Sequence, residues 1–296
     1  MVFSPAPASW PPAEEQRRRA AAKDPNKMAA ADNKNTITVE KRGRVVVWAM
    51  NLPNKLNCMN VALLSRMAEL FAEAATDPCV DAAVLTGTGR YFSSGAAFGD
   101  VGLRPSMRLS AVHAAVIRLN VGIFHPFIHF PKPIFIAANG PAIGGATTMQ
   151  LLCDAVLCVP GATFHTPFKQ LGITPEGCST VTFERKMGCQ GARRMLVEGE
   201  KLTAMEAKQL GFVDVLVAED EDLVKTACDY AVQWVREGRG RLIIEQGLVA
   251  ELDRVNEREG KQLADAMFAP RFWEANSIPA WVARPLAPVL QLLAKL

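Results

Sequence analysis

Glu176 is the residue that first suggests chemistry, because it is a single acid in apolar surroundings. The segment LGITPEGCST, residues 171–180, places it between a proline and a glycine, with Leu171 and Ile173 before it and Cys178 after it. Apolar surroundings disfavour the charged form of a carboxyl, which raises its pKa and makes the carboxylate a stronger base. The segment is therefore consistent with a catalytic base, or with a turn acid that only faces water.

Two glycine-rich loops could supply backbone N–H groups to a negatively charged oxygen. FSSGA (92–96) follows a predicted strand, and NGPAIGGA (139–146) follows another and leads into a predicted helix. Glycine lets a ligand approach the backbone closely, and N–H groups in the first turn of a helix lack partners within it. Two such groups that converge on one point would form an oxyanion hole. Spacing alone does not show convergence, and tight turns or close helix packing also use glycine.

Several other catalytic classes are disfavoured. The G-T-G at 87–89 has no third glycine at position 92, and neither a phosphate-binding P-loop nor a G-x-S-x-G elbow occurs. The seven cysteines form no C-x-x-C pair, which predicts reduced thiols in an intracellular compartment. His125 and His129 are four residues apart, but Pro126 argues against a regular helix carrying both. We therefore expect no metal site.

Composition indicates a folded protein with a substantial core. The 296 residues are 49% apolar and 21% charged, and the net charge is +3. This balance is too even to predict nucleic-acid binding, although a mild positive charge suits an anionic small molecule. No uninterrupted apolar run reaches the roughly 18 residues of a membrane span, so we expect none.

Strand and helix patterns alternate in the first two thirds of the chain, and helices alone follow, which predicts an α/β core and a helical C-terminal region. Thr203 and Glu206 form a predicted capping box, and Gly211 stands where that helix ends. The predicted elements are a hairpin of TITVE (36–40) and VVVWAM (45–50), a helix at 59–75, a strand at 81–87, a helix near 108–124, a strand at 134–138, a helix ending near Leu152, strands at 155–159 and 162–167, and helices at 220–237, 243–257 and 260–268.

The two ends differ from the middle. Residues 1–35 are rich in Ala and Pro and carry three consecutive arginines, so we expect a flexible extension. The predicted core spans 36–218, and the helical region 219–296 has apolar faces that need the core or a neighbouring subunit as cover. The last residues, Ala294-Lys295-Leu296, are similar to the S-K-L class of peroxisomal signals, although three residues also match by chance.

Three segments together resemble the crotonase superfamily of acyl-CoA enzymes: YFSSG, PKPIFIAANGPAIGGA and LLCDAVLCVPGATFHTPFKQLGITPEGCST. The last is similar to the peroxisomal Δ3,Δ2-enoyl-CoA isomerase branch in particular. The resemblance implies a spiral core of β-β-α units and a C-terminal region that covers the acyl pocket. It also implies a homotrimer or dimer of trimers, an acyl-CoA thioester substrate, and neither a metal nor another cofactor.

By position, the resemblance places the oxyanion hole at the N–H groups of Ala96 and Gly145. The family usually has aspartate where this chain has Ala97, and Asp100 comes three residues later. Further substrate-binding positions are implied at Lys55, Leu56, Ser94, Gly95, Ala97, Phe98, Gly144 and Phe168.

The resemblance also bears on the reaction. The two glutamates of family hydratases correspond to Thr148 and Phe168, neither of which can act as an acid or base. Glu176 stands where the peroxisomal isomerases have their single catalytic glutamate. We therefore expect an isomerase that moves a 3-enoyl-CoA double bond to the 2-trans position in fatty acid β-oxidation.

Alternatives on the same fold are dienoyl-CoA isomerisation and thioester hydrolysis. A non-catalytic crotonase-like protein that binds RNA through Arg17–Arg19 is a further one, which the modest charge disfavours. The isomerase resemblance and the C-terminal tripeptide together predict a peroxisome or a related, glycosome-type microbody, with an import receptor as partner.

Overall fold

The computed structural model describes residues 35–96 and 108–276. The expectations for the N-terminal extension, Ala97, Phe98, Asp100 and the C-terminal tripeptide lie outside these residues.

Within the described residues, nine strands form two sheets. The larger has the order β1-β2-β3-β4-β6-β9, in which β1 and β2 form an antiparallel hairpin and the remaining neighbours are parallel. The smaller has the order β5-β7-β8. In chain order the strands are β1 Ile37–Arg42, β2 Val45–Met50, β3 Ala82–Gly87, β4 Ile134–Ala138, β5 Ala142–Ile143, β6 Ala155–Cys158, β7 Thr163–His165, β8 Lys201–Thr203 and β9 Val215–Leu216.

Helices surround the sheets, and after β9 every described element is a helix. The α-helices are α1 Val61–Thr76, α2 Leu109–His129, α3 Gly145–Thr148, α4 Phe168–Leu171, α5 Ser179–Leu196, α6 Ala204–Gln209, α7 Leu223–Arg236, α8 Leu242–Glu245, α9 Val249–Phe268 and α10 Pro270–Ala275. Short 3₁₀ helices span Pro53–Lys55 and Met149–Leu152.

Both faces of the larger sheet are buried, which is why its parallel strands are continuous apolar runs. On one face Trp48 and Phe71 pack edge to face at 4.9 Å between ring centroids, and Phe127 joins Phe71 at 4.8 Å. On the other face α7 covers the sheet, and Trp234 packs against Phe135 at 5.5 Å. The helical region after residue 218 therefore contributes directly to the core.

A buried ion pair joins the helical region to the core. The Arg241 guanidinium lies 3.0 Å from an Asp154 carboxylate oxygen, and both side chains are almost fully buried. Arg241 also donates to the carbonyl oxygens of Phe127 and Leu152, and Asp154 accepts from the N–H of Ile134 at 2.7 Å. These bonds pair two buried charges with each other and with backbone groups at the junction of α2, β4 and α8.

The predicted α/β class and most predicted elements are confirmed, including the hairpin and the capping box of α6. Two expectations were wrong. The helix predicted at 108–124 continues through Pro126 to His129, and the rings of His125 and His129 stack at 4.2 Å. Pro126 has no N–H to donate to the carbonyl of Gly122, but Gly122 is exposed, so water can bond to that carbonyl instead. The helices predicted at 243–257 and 260–268 are not separate. Most of both segments forms the single helix α9, which continues through Gly260.

By length and composition, the segment Ser110–His129 of α2 is apolar enough to cross a membrane. Core helices of soluble proteins, which are mostly buried, pass the same test; 28% of this segment is buried, and α2 packs against α9.

Candidate active site

The two glycine loops lie side by side. Ser93 pairs with Ala142 in a parallel bridge, and the N–H of Ile143 donates to the Ser93 carbonyl at 3.0 Å. Gly95 has φ +85°, and a Cβ there would lie only 2.6 Å from the carbonyl oxygen of Ile143. Glycine is therefore required both by the backbone conformation and by the close approach of the second loop.

The N–H groups of Ala96 and Gly145 are the candidate donors to a negatively charged oxygen. Gly144 uses its N–H in a 2.8 Å bond to the His165 carbonyl, and Gly145 is the first residue of α3. Among the described residues, neither the Ala96 nor the Gly145 N–H has an acceptor. Partnerless N–H groups in adjacent loops are what a negatively charged oxygen requires.

Glu176 lies next to the second of these loops. A Cβ added to Gly145 would be 3.0 Å from Glu176 Oε1, so this oxygen lies within about 4.5 Å of the Gly145 Cα, allowing about 1.5 Å for the added bond. The side chain is 8% exposed. The structure thus brings the Glu176 carboxyl and the Gly145 backbone close together in a buried region.

A sharp turn before α5 aims Glu176 inward. Gly177 and Cys178 both have positive φ, +70° and +61°, and α5 starts at Ser179. A Cβ at Gly177 would lie 2.5 Å from Thr148 Oγ1 and 2.7 Å from the Phe124 ring. The glycine of the P-E-G-C sequence therefore permits both the turn and its close packing on α3 and α2.

Burial raises the pKa of Glu176 to about 7. A hydrogen bond donated by Asn120 Nδ2 to Glu176 Oε2 opposes this effect, and the nearby carboxylate of Glu259 adds to it. The balance leaves a carboxyl that is both protonated and ionised in quantity near neutral pH.

Sequence reasoning missed Asn120. It lies in the middle of α2, is 4% exposed, and contacts Gly260 of α9, where an added Cβ would be 3.5 Å from Asn120 Oδ1. Its Oδ1 has no hydrogen-bond partner among the described residues. The only sequence signal is that it is an amide inside an apolar helix.

Glu259 was missed as well. It lies on α9, is fully buried, and accepts two hydrogen bonds from Thr180 on one carboxylate oxygen: 3.0 Å from the backbone N–H and 2.5 Å from the hydroxyl. Its other oxygen has no partner in the part of the chain that the structure describes. Burial raises its pKa, and the bonds from Thr180 oppose that rise.

The loop that carries Lys55 and Leu56 lies against the first glycine loop. The N–H of Ser94 donates to the Leu56 carbonyl at 2.9 Å, and the Ser93 hydroxyl donates to the Asn57 carbonyl at 2.7 Å. Lys55 is exposed at the end of the short 3₁₀ helix. Lys55 and Leu56 therefore lie beside Ser94, Gly95 and Ala96. This arrangement is compatible with the expectation that all five residues bind the same substrate.

Phe168 is not part of this group. It is buried in a separate apolar cluster with Ile173, Leu263 and Phe272. Thr148, in contrast, lies beside the Glu176 turn, where its hydroxyl donates to the Gly145 carbonyl at 3.2 Å. No group of three metal-ligating side chains occurs within residues 35–96 and 108–276.

Comparison with known proteins gives a consistent result. The sequence profile described as enoyl-CoA hydratase/isomerase matches residues 40–276. Human enoyl-CoA delta isomerase 2 is 38% identical over 181 residues, 60% of this chain and 45% of that protein. Mouse peroxisomal enoyl-CoA delta isomerase 3 is 36% identical over 190 residues, 64% of this chain and 59% of that protein. The matched part thus spans about half the length of these relatives.

Among solved structures, an enoyl-CoA hydratase/isomerase from Pseudoalteromonas atlantica superimposes with a TM-score of 0.71 and 26% identity, covering 82% of this chain and 95% of the other.

Proposed function

Because the chain belongs to the enoyl-CoA hydratase/isomerase family and has its crotonase fold, we propose that it is a Δ3,Δ2-enoyl-CoA isomerase of fatty acid β-oxidation. One observation carries the proposal: among the described residues, the buried carboxyl of Glu176 lies beside Gly145, whose N–H has no acceptor there. The positions that correspond to hydratase glutamates hold Thr148 and Phe168. The names of the human and mouse relatives support the same reaction.

In the proposed reaction Glu176 transfers one proton from C2 to C4 of the substrate. The ionised carboxylate removes the C2 proton, and the electron pair of the broken C–H bond spreads over C2, C4 and the thioester oxygen. The same carboxyl then returns the proton to C4, so that the double bond moves from C3–C4 to C2–C3 and the enzyme regains its initial state. No water and no second acid are consumed.

The amides of Ala96 and Gly145 stabilise the dienolate intermediate in this scheme. Negative charge develops on the thioester oxygen when the C2 proton leaves, and two N–H donors stabilise it most at that point. Losing one donor of this kind typically costs about 10²–10³ in rate. The adjacency of the two loops supports this role.

The pKa of Glu176, about 7, suits a group that must first accept a proton and then donate it. A much more acidic carboxyl would be too weak a base for a carbon acid, and a much less acidic one would be mostly protonated. Asn120 holds Oε2, which leaves Oε1, the oxygen near Gly145, to carry the proton.

In this proposal the CoA thioester binds to the two glycine-rich loops and to the adjacent loop that carries Lys55 and Leu56. Lys55 would meet a CoA phosphate, Leu56 and Ser94 lie on the same surface, and Gly95 and Gly144 flank the thioester. Ala97 and Phe98 continue the first loop beyond the described residues. Phe168 would act from the apolar cluster rather than from the loops. Neither a metal nor a redox cofactor takes part in the proposed chemistry.

Glu176→Gln tests the proposal, because it keeps the shape of the side chain and removes the base. We expect loss of 3-enoyl-CoA isomerisation with retained CoA-ester binding, measured by mass analysis of products and by calorimetry. Glu257→Gln, the same change at an exposed position of α9, is the control. Wild-type turnover in Glu176→Gln would contradict the proposal. The same product analysis tests the alternatives. Conversion of 2-enoyl-CoA or dienoyl-CoA would indicate another reaction of the fold, and release of free CoA would indicate thioester hydrolysis.

We also propose a peroxisomal or glycosome-type location and a trimer or dimer of trimers. The terminal Ala294-Lys295-Leu296 and the name of the mouse relative support the location. A fluorescent fusion that ends in these residues should enter peroxisomes, and deletion of the three residues should leave it in the cytosol. Sedimentation of the purified protein tests the assembly.

A further inference from the structure

We propose that Glu259 of α9 is a positioning residue for Glu176, which acts by holding the first turn of α5. The inference rests on the proposed function, since it assigns a role in the same reaction. Glu259 does not touch the glycine loops in any described contact. Its carboxylate instead accepts hydrogen bonds from Thr180, four residues after Glu176.

The start of α5 needs an acceptor from elsewhere in the molecule. The first N–H groups of a helix have no partner within it, and the residue before the helix usually supplies one through its side chain. Here that residue is Cys178, which has φ +61° and makes no side-chain cap. Glu259 takes the place of the cap by accepting from the Thr180 N–H at 3.0 Å. A negative charge at this end of the helix is also favoured by its dipole.

Helix α9 also connects the two segments that carry Glu176 and Asn120. It meets the Glu176 turn through Glu259, and through the carbonyl of Leu252, to which the Cys178 thiol donates at 3.3 Å. It meets α2 through Asn256, which donates to the Val121 carbonyl at 3.0 Å, next to Asn120. Fixing the α5 turn relative to α2 fixes the hydrogen bond between Asn120 and Glu176.

Burying a carboxylate costs free energy that a purely structural cap does not require. Glu259 is fully buried, and one of its oxygens has no partner among the described residues. A buried ionised group costs more than a neutral amide of the same shape unless it is fully paired. The nearby charges are the Arg258 guanidinium, which donates to the Thr180 hydroxyl at 3.2 Å, and Glu176 itself. The like charge of Glu259 helps to raise the pKa of Glu176, so its charge has a use in the reaction.

Three variants test the inference by pH–rate profiles and thermal unfolding of the full chain, with 3-enoyl-CoA as substrate. Glu259→Gln keeps an acceptor but weakens the charge-assisted bonds from Thr180. It should therefore lower kcat about ten- to a hundredfold, since small misplacements of a catalytic group cost that much. KM should change little, and the acid limb of the profile should move to lower pH because the like charge is gone. Thr180→Val keeps the charge of Glu259 and removes the hydrogen bond that the Thr180 hydroxyl donates to it. This variant should lower kcat and move the acid limb of the pH–rate profile less than Glu259→Gln does. Glu257→Gln, two residues away and exposed, should behave like wild type.

The outcomes separate this inference from the proposed function. A folded Glu259→Gln variant with wild-type kcat and an unmoved acid limb would overturn the inference. Loss of activity only in proportion to loss of folded protein would also overturn it, because that is a structural role. If Glu259→Gln does not fold, Thr180→Val decides: a lower kcat at unchanged KM supports the inference, and a wild-type kcat refutes it. Failure of the proposed function itself appears instead as wild-type isomerisation by Glu176→Gln.

Discussion

Replacing Asn120 with alanine tests how the acidity of Glu176 is set. Burial and the nearby Glu259 carboxylate raise the pKa of Glu176, the hydrogen bond from Asn120 lowers it, and the result is a pKa of about 7. An amide N–H that donates to a carboxylate favours the charged form. Removing this donor therefore raises the pKa of Glu176 and reduces the fraction of active base at neutral pH.

The size of the effect follows from the strength of the bond. A hydrogen bond to a charged group contributes about 1.5–3 kcal/mol, which moves the midpoint of the acid limb upward by about one to two pH units. At pH 7 about half of the wild-type Glu176 is ionised. In the variant the ionised fraction falls to roughly one tenth to one hundredth, so kcat/KM at pH 7 falls about 5- to 50-fold from ionisation alone.

The assay is kcat/KM for 3-enoyl-CoA from about pH 5.5 to about pH 9.5, with most of the loss recovered at the alkaline end. Asn256→Ala is the matched control. Asn256 is also a buried amide, and it donates to the same helix α2 without contacting Glu176. It should lower the melting temperature and, because the Asn120 donor stays in place, move the midpoint less than Asn120→Ala does. An Asn120→Ala midpoint at or below that of wild type would refute the reasoning.

Three further predictions concern the candidate active site and the buried ion pair that joins the helical region to the core. Gly145→Ala puts a methyl group 3.0 Å from Glu176 Oε1, so kcat should fall at least tenfold with little change in melting temperature, as steady-state kinetics and calorimetry will report. Arg241→Ala leaves the buried Asp154 carboxylate without its cation, so chemical denaturation should show a loss of about 3–5 kcal/mol. Glu176→Gln should stabilise the fold above pH 7 but not below about pH 4.5. The carboxyl has a higher pKa in the folded state than in the unfolded one, so its ionisation destabilises the fold as pH rises through that interval; equal stabilisation at both pH values would contradict this.

Much of the fold could be predicted from the sequence, because burial is regular along its elements. Strand β4 is buried at every position and reads as the continuous run IFIAA. Helix α6 carries a capping box that is visible as Thr203 and Glu206. The path of α2 through Pro126 could not be predicted, since it depends on an exposed, glycine-bearing turn that tolerates the missing bond.

The site was only partly predictable. Glu176 could be proposed as the base because it is an acid among apolar residues and its P-E-G-C segment resembles the isomerase branch of the family. The meeting of the two glycine loops required the structure, because the bridge between Ser93 and Ala142 joins segments almost fifty positions apart. Asn120 reaches Glu176 across 56 positions, and nothing local indicates that contact. Glu259 did leave a signal: it falls on the same face of α9 as Leu252, Val255 and Leu263.

The proposed chemistry explains why the base has a neutral partner. A cation within hydrogen-bond distance would lower the pKa of Glu176 and leave a carboxylate too weak to remove a proton from carbon. Among the described residues the only side chain that donates to it is the amide of Asn120, and no ion pair involves it. Its basicity therefore depends on the exclusion of water, which the packing of α2, α5 and α9 provides. It follows that a packing defect where α9 crosses α2 should move the pH profile as well as reduce stability, and that residues on α9 far from the thioester influence the reaction.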